Sequence, residues 1–95
     1  MVAHFEYDSK KSEANFERHG IDFIDAQELW ATTHVVIPAK DVAGESRYAI
    51  LGKMMGKVYV AIFTKRREAI RLISCHRADG RWEKIHERHV TQKDA

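Results

Sequence analysis

The stretch DSKKSEANFERHGIDF, Asp8 to Phe23, decides how this chain folds. Asp8 is a natural helix N-cap, because its carboxylate can accept from the first free amides of a helix. The spacing predicts a helix over about Ser9 to His19. It closes at Gly20, which takes the left-handed conformation that other residues resist. Asp22 can then cap a second short helix, with Phe23, Ala26, Leu29 and Trp30 near one face at spacings of three and four. Helices joined this tightly must lay their apolar faces on something else, and a sheet is the available partner.

Outward from this stretch the chain reads mostly as strand. Val2 to Tyr7 alternates as a short first strand, and His34 to Ile37 is β-branched and ends at Pro38. AKDVAGES, residues 39–46, reads as a loop. Arg47 to Gly52 is the next strand, and Lys53 to Lys57 is a turn containing Gly56. Val58 to Phe63 is an unbroken apolar run that predicts a central strand covered at least partly on both faces. Thr64 to Glu68 forms a charged turn into a partner strand, Ala69 to Cys75. Asp79 caps a final helix through about His89, and Thr91 to Ala95 should fray. The expectation is one α+β domain over residues 1–95, in the order β-α-α-β-β-β-β-α. Its sheet should be antiparallel, with the helices mainly on one face.

Composition narrows the class. With 95 residues and 44% hydrophobic side chains, the chain has enough apolar surface for one core and no more. The single Cys75 excludes an internal disulfide and a cysteine zinc cage. No apolar run approaches the roughly 18 residues of a membrane span, and the N-terminus lacks a signal peptide's apolar core, so the expected location is the cytoplasm, with no membrane partner. Charge is lopsided. Residues 1–45 hold four Lys or Arg against nine Asp or Glu, whereas residues 65–95 hold nine against five. That distribution favours a basic surface on the C-terminal half, suited to phosphate.

Two segments use charge unusually. Lys11, Asn15, Arg18 and His19 recur at helical spacing on the first helix, and RLISCHRA, Arg71 to Ala78, threads arginines through an apolar strand. A charge on such a strand costs free energy unless it is paired or held for a ligand. Strand alternation places Arg71, Ile73, Cys75 and Arg77 on one face if the strand runs regularly.

Across the chain, Phe5, Tyr7, Asp8, Lys11, Asn15, His19, Gly20, Ile21, Phe23 and Ala26, then Glu45, Arg47 and Gly52, then Arg71, Ile73, Ser74, Arg77 and Ala78, resemble the BrnT toxin family. The resemblance covers nearly the whole chain in order. It implies a RelE-like fold and an RNA-cutting toxin of a type II toxin–antitoxin pair that arrests translation. It also implies a BrnA-like ribbon-helix-helix antitoxin as partner, through which alone DNA would be contacted.

The residue types fit that chemistry. Cutting RNA without metal or cofactor needs a base for the 2′-hydroxyl, cations for the charge on phosphorus and an acid for the leaving oxygen. Arg47, Arg71 and Arg77 suit the second task, because a guanidinium fork grips two phosphate oxygens. Lys11 and His19, slightly over two turns apart, share a helix side within about 80°, and His19 is a base or acid at neutral pH. Asn15, Arg81 and Trp82 are candidate RNA contacts, although Trp82 also suits packing on its own sheet. The family's final helix usually carries a glutamate followed four residues later by a tyrosine. Here the ungapped positions are Trp82 and His86, while a shift of one uses Glu83 and Glu87, so His86 and Glu83 both stay open as acid or base. No metal site is expected from His86 and His89 without a third ligand. The alternative is a module that binds RNA or protein without cutting.

Overall fold

The computed structural model describes residues 4–94. In chain order these form β1 (His4–Glu6), α1 (Ser9–His19), α2 (Phe23–Ala26), a 3-10 turn (Gln27–Trp30), β2 (His34–Val42), β3 (Glu45–Met54), β4 (Lys57–Arg66), β5 (Ala69–Arg77) and α3 (Gly80–Asp94). Val2 and Ala3 of the expected first strand, and Ala95, lie outside the described residues. The last helix continues through Asp94 instead of fraying after His89.

The helix ends are fixed by the side chains that the sequence singles out. Asp8 Oδ1 accepts from the Lys10 and Lys11 amides at 2.8 and 3.3 Å, and Asp22 Oδ1 accepts from Ile24 and Asp25 at 3.0 and 2.8 Å. Asp79 Oδ1 does the same for Arg81 and Trp82. Each such cap is worth about 1 kcal/mol. Gly20 ends α1 at φ 74°, and its amide donates to the Phe16 carbonyl.

The strands form one five-stranded sheet in the order β1-β5-β4-β3-β2. The hairpins β2–β3, β3–β4 and β4–β5 are antiparallel, but β1 pairs parallel to β5, so the sheet is mixed. The helix after β1 carries the chain away, so no tight turn ties β1 to an antiparallel neighbour. Pro38 does not end β2. It pairs with Tyr48 on an edge strand, the place in a sheet where a residue without an amide is tolerated, and most of the expected loop 39–46 is strand on either side of a turn at Ala43 and Gly44.

Helices cover both faces, not mainly one. On one side Phe23, Ala26 and Leu29 of the N-terminal helices pack with Ile50, Ala61, Phe63, Leu72 and Cys75. On the other, Trp82 of α3 packs against Ala49, Leu51 and Val60. Alternation along the apolar run in β4 sends Val60 to one core and Ala61 and Phe63 to the other. A central strand that is apolar on both faces demands both layers, at about 1.5–3 kcal/mol for each large side chain buried.

One irregularity in β5 sets up the site. Ile62 pairs with Ser74 but Phe63 pairs with Leu72, so Ile73 is an extra residue in the ladder. The bulge inverts the alternation, and Leu72 and Cys75, three apart, both reach the same core.

Candidate functional site

β1 ends at Glu6, opposite Arg71, and leaves the edge of β5 beyond it without a strand partner. Asn15 fills the gap from α1. Its side-chain amide donates to the Cys75 carbonyl at 2.7 Å, and its oxygen accepts from the Cys75 amide at 3.1 Å. The same Nδ2 donates to Ile21 O at 2.7 Å. Asn15 is buried and its amide is committed to the backbone, so its first part is structural. α1 therefore runs along the β5 edge and brings its basic residues there.

Residues paired directly across strands point to the same side of a sheet. The register Arg47↔Thr64↔Arg71↔Glu6 is thus one row on the α3 side of the sheet. Strands lie about 4.8 Å apart, which puts the Arg47 and Arg71 backbones about 10 Å from each other, astride the buried Thr64. Each arginine has a carboxylate near it. Arg47 Nε is 3.8 Å from Glu45, Arg71 Nη1 is 3.5 Å from Glu6, and Arg66 shares Glu45 at 3.6 Å. These separations exceed hydrogen-bond length, and pairs this exposed are worth at most about 1 kcal/mol. Arg47 Nε is buried without a hydrogen-bond partner among the described residues.

The same side of β5 continues through Ser74 and His76, which pair with Ile62 and Val60 of the α3-side core. Against them Lys11, Asn15, Arg18 and His19 of α1, with Ile73 and Ser74, line a cavity of about 270 Å³. The rings of His19 and His76 stand 5.6 Å apart. Partial loss of solvent, then His76 and the Arg18 guanidinium, hold His19 below the ordinary histidine value of 6.5. These influences favour the uncharged imidazole, the form that can accept a proton.

Other expected residues lie elsewhere. Arg77 pairs with Tyr59, whose ring packs on the α1 and α2 side, so the bulge turns Arg77 away from Arg71. Three arginines do not converge. Glu83 and His86 share a separate cavity of about 340 Å³ with Lys53, Val58, Glu87 and Val90. Lys53 is six residues along β3 from Arg47, about 20 Å. Burial, then Lys53 and His89, depress the His86 pKa. Trp82 packs on the sheet and Arg81 is exposed on α3. Cys75 is fully buried, and its thiol is pushed up to about 12 by burial, which makes it a poor nucleophile.

Thr64, Ser74, His76 and Arg18 stand beside the cavity and the arginine row without being among the expected site residues. Arg18 was within reach, since it lies seven residues from Lys11 and shares its helix face. Ser74 and His76 join Arg71 only because of the bulge. Among the described residues, no three His, Cys, Asp or Glu side chains group as they would around a metal. No helix there is long and apolar enough to cross a membrane.

A family model described as the ribonuclease toxin BrnT of type II toxin–antitoxin systems matches residues 7–81. No curated protein matches the chain.

Proposed function

The chain belongs to the BrnT family of type II toxin–antitoxin ribonuclease toxins, and from that premise we propose that it is an endoribonuclease that cuts RNA by its own side chains, without a metal. The observation that carries this reading is the cavity along the β5 edge, where Lys11, Arg18 and His19 meet Ser74 beside the Arg71 and Arg47 row.

In this mechanism His19 accepts the proton of a 2′-hydroxyl, whose oxygen attacks the adjacent phosphorus. Lys11 and Arg18 offset the charge that grows on the phosphoryl oxygens. Arg71 and Arg47 hold flanking phosphates, exchanging loosely held carboxylates for phosphate oxygens. The 5′-oxygen leaves, and the products carry a 2′,3′-cyclic phosphate and a 5′-hydroxyl. Arg77, Glu83 and His86 have no part in this reading. The fold is read as RelE-like and the setting as cytoplasmic. The outcome for the cell is translation arrest, relieved by a BrnA-like ribbon-helix-helix antitoxin that alone touches DNA. An acidic segment of such a partner would complement the basic cavity.

Purified protein incubated with single-stranded RNA in EDTA is the test. New ends bearing cyclic phosphate support the mechanism, and RNA that stays intact overturns it. One observation favours a non-cutting module instead, namely that a carboxylate stands beside both Arg47 and Arg71. Retarded but uncut RNA in the same assay would select that reading.

A further inference from the structure

The ribonuclease reading leaves the proton for the departing 5′-oxygen without a donor. Lys11 and Arg18 are already engaged with the charge on the phosphoryl oxygens in that reading, which leaves them no part in giving up a proton. The His76 ring stands beside His19, 5.6 Å away between centroids. Its backbone is fixed on β5 opposite Val60, on the side that carries Ser74 and Arg71. Its Nδ1 is 2.9 Å from the Arg77 carbonyl oxygen. A carbonyl can only accept, so Nδ1 carries a hydrogen and Nε2 is the nitrogen left to exchange a proton. Lys11 and Arg18 on α1 line the cavity beside the pair, Arg77 follows His76 on β5 but pairs with Tyr59 and so faces the other side of the sheet, and neither ring has an ion-pair partner among the described residues.

Resting on the ribonuclease reading, we propose that His76 is the general acid that partners His19, so that two imidazoles flank one phosphodiester. His19 accepts the 2′-hydroxyl proton as the 2′-oxygen to phosphorus bond forms. His76 enters the step as the imidazolium, with a hydrogen on each ring nitrogen. As the phosphorus to 5′-oxygen bond breaks, the electron pair on that oxygen takes the Nε2 proton and leaves the neutral ring with its hydrogen on Nδ1. Nothing is oxidised or reduced. The pair ends with its protons exchanged and returns to its starting state through water. With about 2.6–3.2 Å for each hydrogen bond, rings this close can reach oxygens on two sides of the same phosphorus.

A donor and an acceptor that act together give a bell-shaped pH profile for kcat/KM, with one limb from each. The deciding experiment uses the unaltered protein and two RNA substrates, one ordinary and one with sulfur replacing the bridging 5′-oxygen. A thiolate leaves without help from an acid. On the sulfur substrate the alkaline limb should vanish while the acid limb, set by His19, stays. His76→Gln should cut the rate on ordinary RNA by about 10²- to 10⁴-fold, and the sulfur substrate should recover most of that loss. His19→Gln should gain nothing from it. If the alkaline limb persists on the sulfur substrate, or a folded His76→Gln cuts ordinary RNA at near the parent rate, His76 is not the acid and the ribonuclease reading stands without it. If the unaltered protein cuts neither substrate, the ribonuclease reading itself fails.

Discussion

Asn15 and Cys75 exchange two hydrogen bonds, so a helix side chain takes the place that a strand would hold along the edge of β5. That one contact closes an edge of the sheet and aligns α1 with the strand that bears Arg71, Ser74 and His76. Edges left open invite pairing with other chains, and a buried amide is one way to close them.

Asn15→Ala should therefore destabilise the fold while leaving its outline intact. The Cys75 amide and the Cys75 and Ile21 carbonyls would lose a buried partner, at about 1–3 kcal/mol for a group left unsatisfied. Urea unfolding should show a fall of about 2–4 kcal/mol, with a drop in Tm of about 4–8 °C for each kcal/mol. A midpoint that does not move would show that the bonds are dispensable.

Arg71 and Arg77 should behave differently although they share a strand. A charge-assisted bond to phosphate is worth about 1.5–3 kcal/mol, so Arg71→Ala should lower kcat/KM on RNA about 10- to 100-fold. It should also make the salt dependence of RNA binding shallower. Arg77→Ala, on the other side of the sheet, should stay within about threefold by the same reasoning that a lost contact sets the loss in rate. Equal losses from the two would move the site.

Acid should weaken the fold through histidine. His86 is buried and its pKa is held below 6.5. The unfolded chain then takes up a proton at a higher pH than the folded chain does. The stability that this group contributes is complete above about 6.5 and is lost as the pH falls from there toward the folded value. Denaturant midpoints measured from pH 7.5 down to 5 should decline, and His86→Gln should flatten that decline. A parent protein that is equally stable across the range would contradict the assignment.

Cys75 should be silent in the native state. Its thiol is fully buried with a pKa pushed up to about 12, and only the thiolate reacts with alkylating agents. Iodoacetamide at pH 8 should leave the folded protein unlabelled and its RNA cleavage unchanged, while denatured protein labels fully. Mass spectrometry that finds rapid native labelling would count against the packing of β5 on its core.

Much of this was written locally. Asp8, Asp22 and Asp79 cap helices within three residues of themselves, and Gly20 stops α1 through its own φ, so the sequence specified these boundaries unaided. The unbroken apolar run through Val58 to Phe63 announced a central strand, because only a strand covered on both faces can hide such a run. Family membership was legible too, being carried by residue types in a fixed order along the chain.

What the chain did not disclose depends on partners far away in sequence. The parallel seat of β1 beside β5 and the pairing of Asn15 with Cys75, sixty residues on, are contacts that no local propensity encodes. The bulge at Ile73 is one extra residue, yet it separates Arg71 from Arg77 and unites Arg71 with Ser74 and His76. Alternation is a rule for a regular strand, and a single insertion in the ladder reverses every side chain beyond it. The sequence determined which elements form and where they stop. Tertiary pairing alone decided which of its many basic residues share a surface, because register is set by cores on both faces of the sheet.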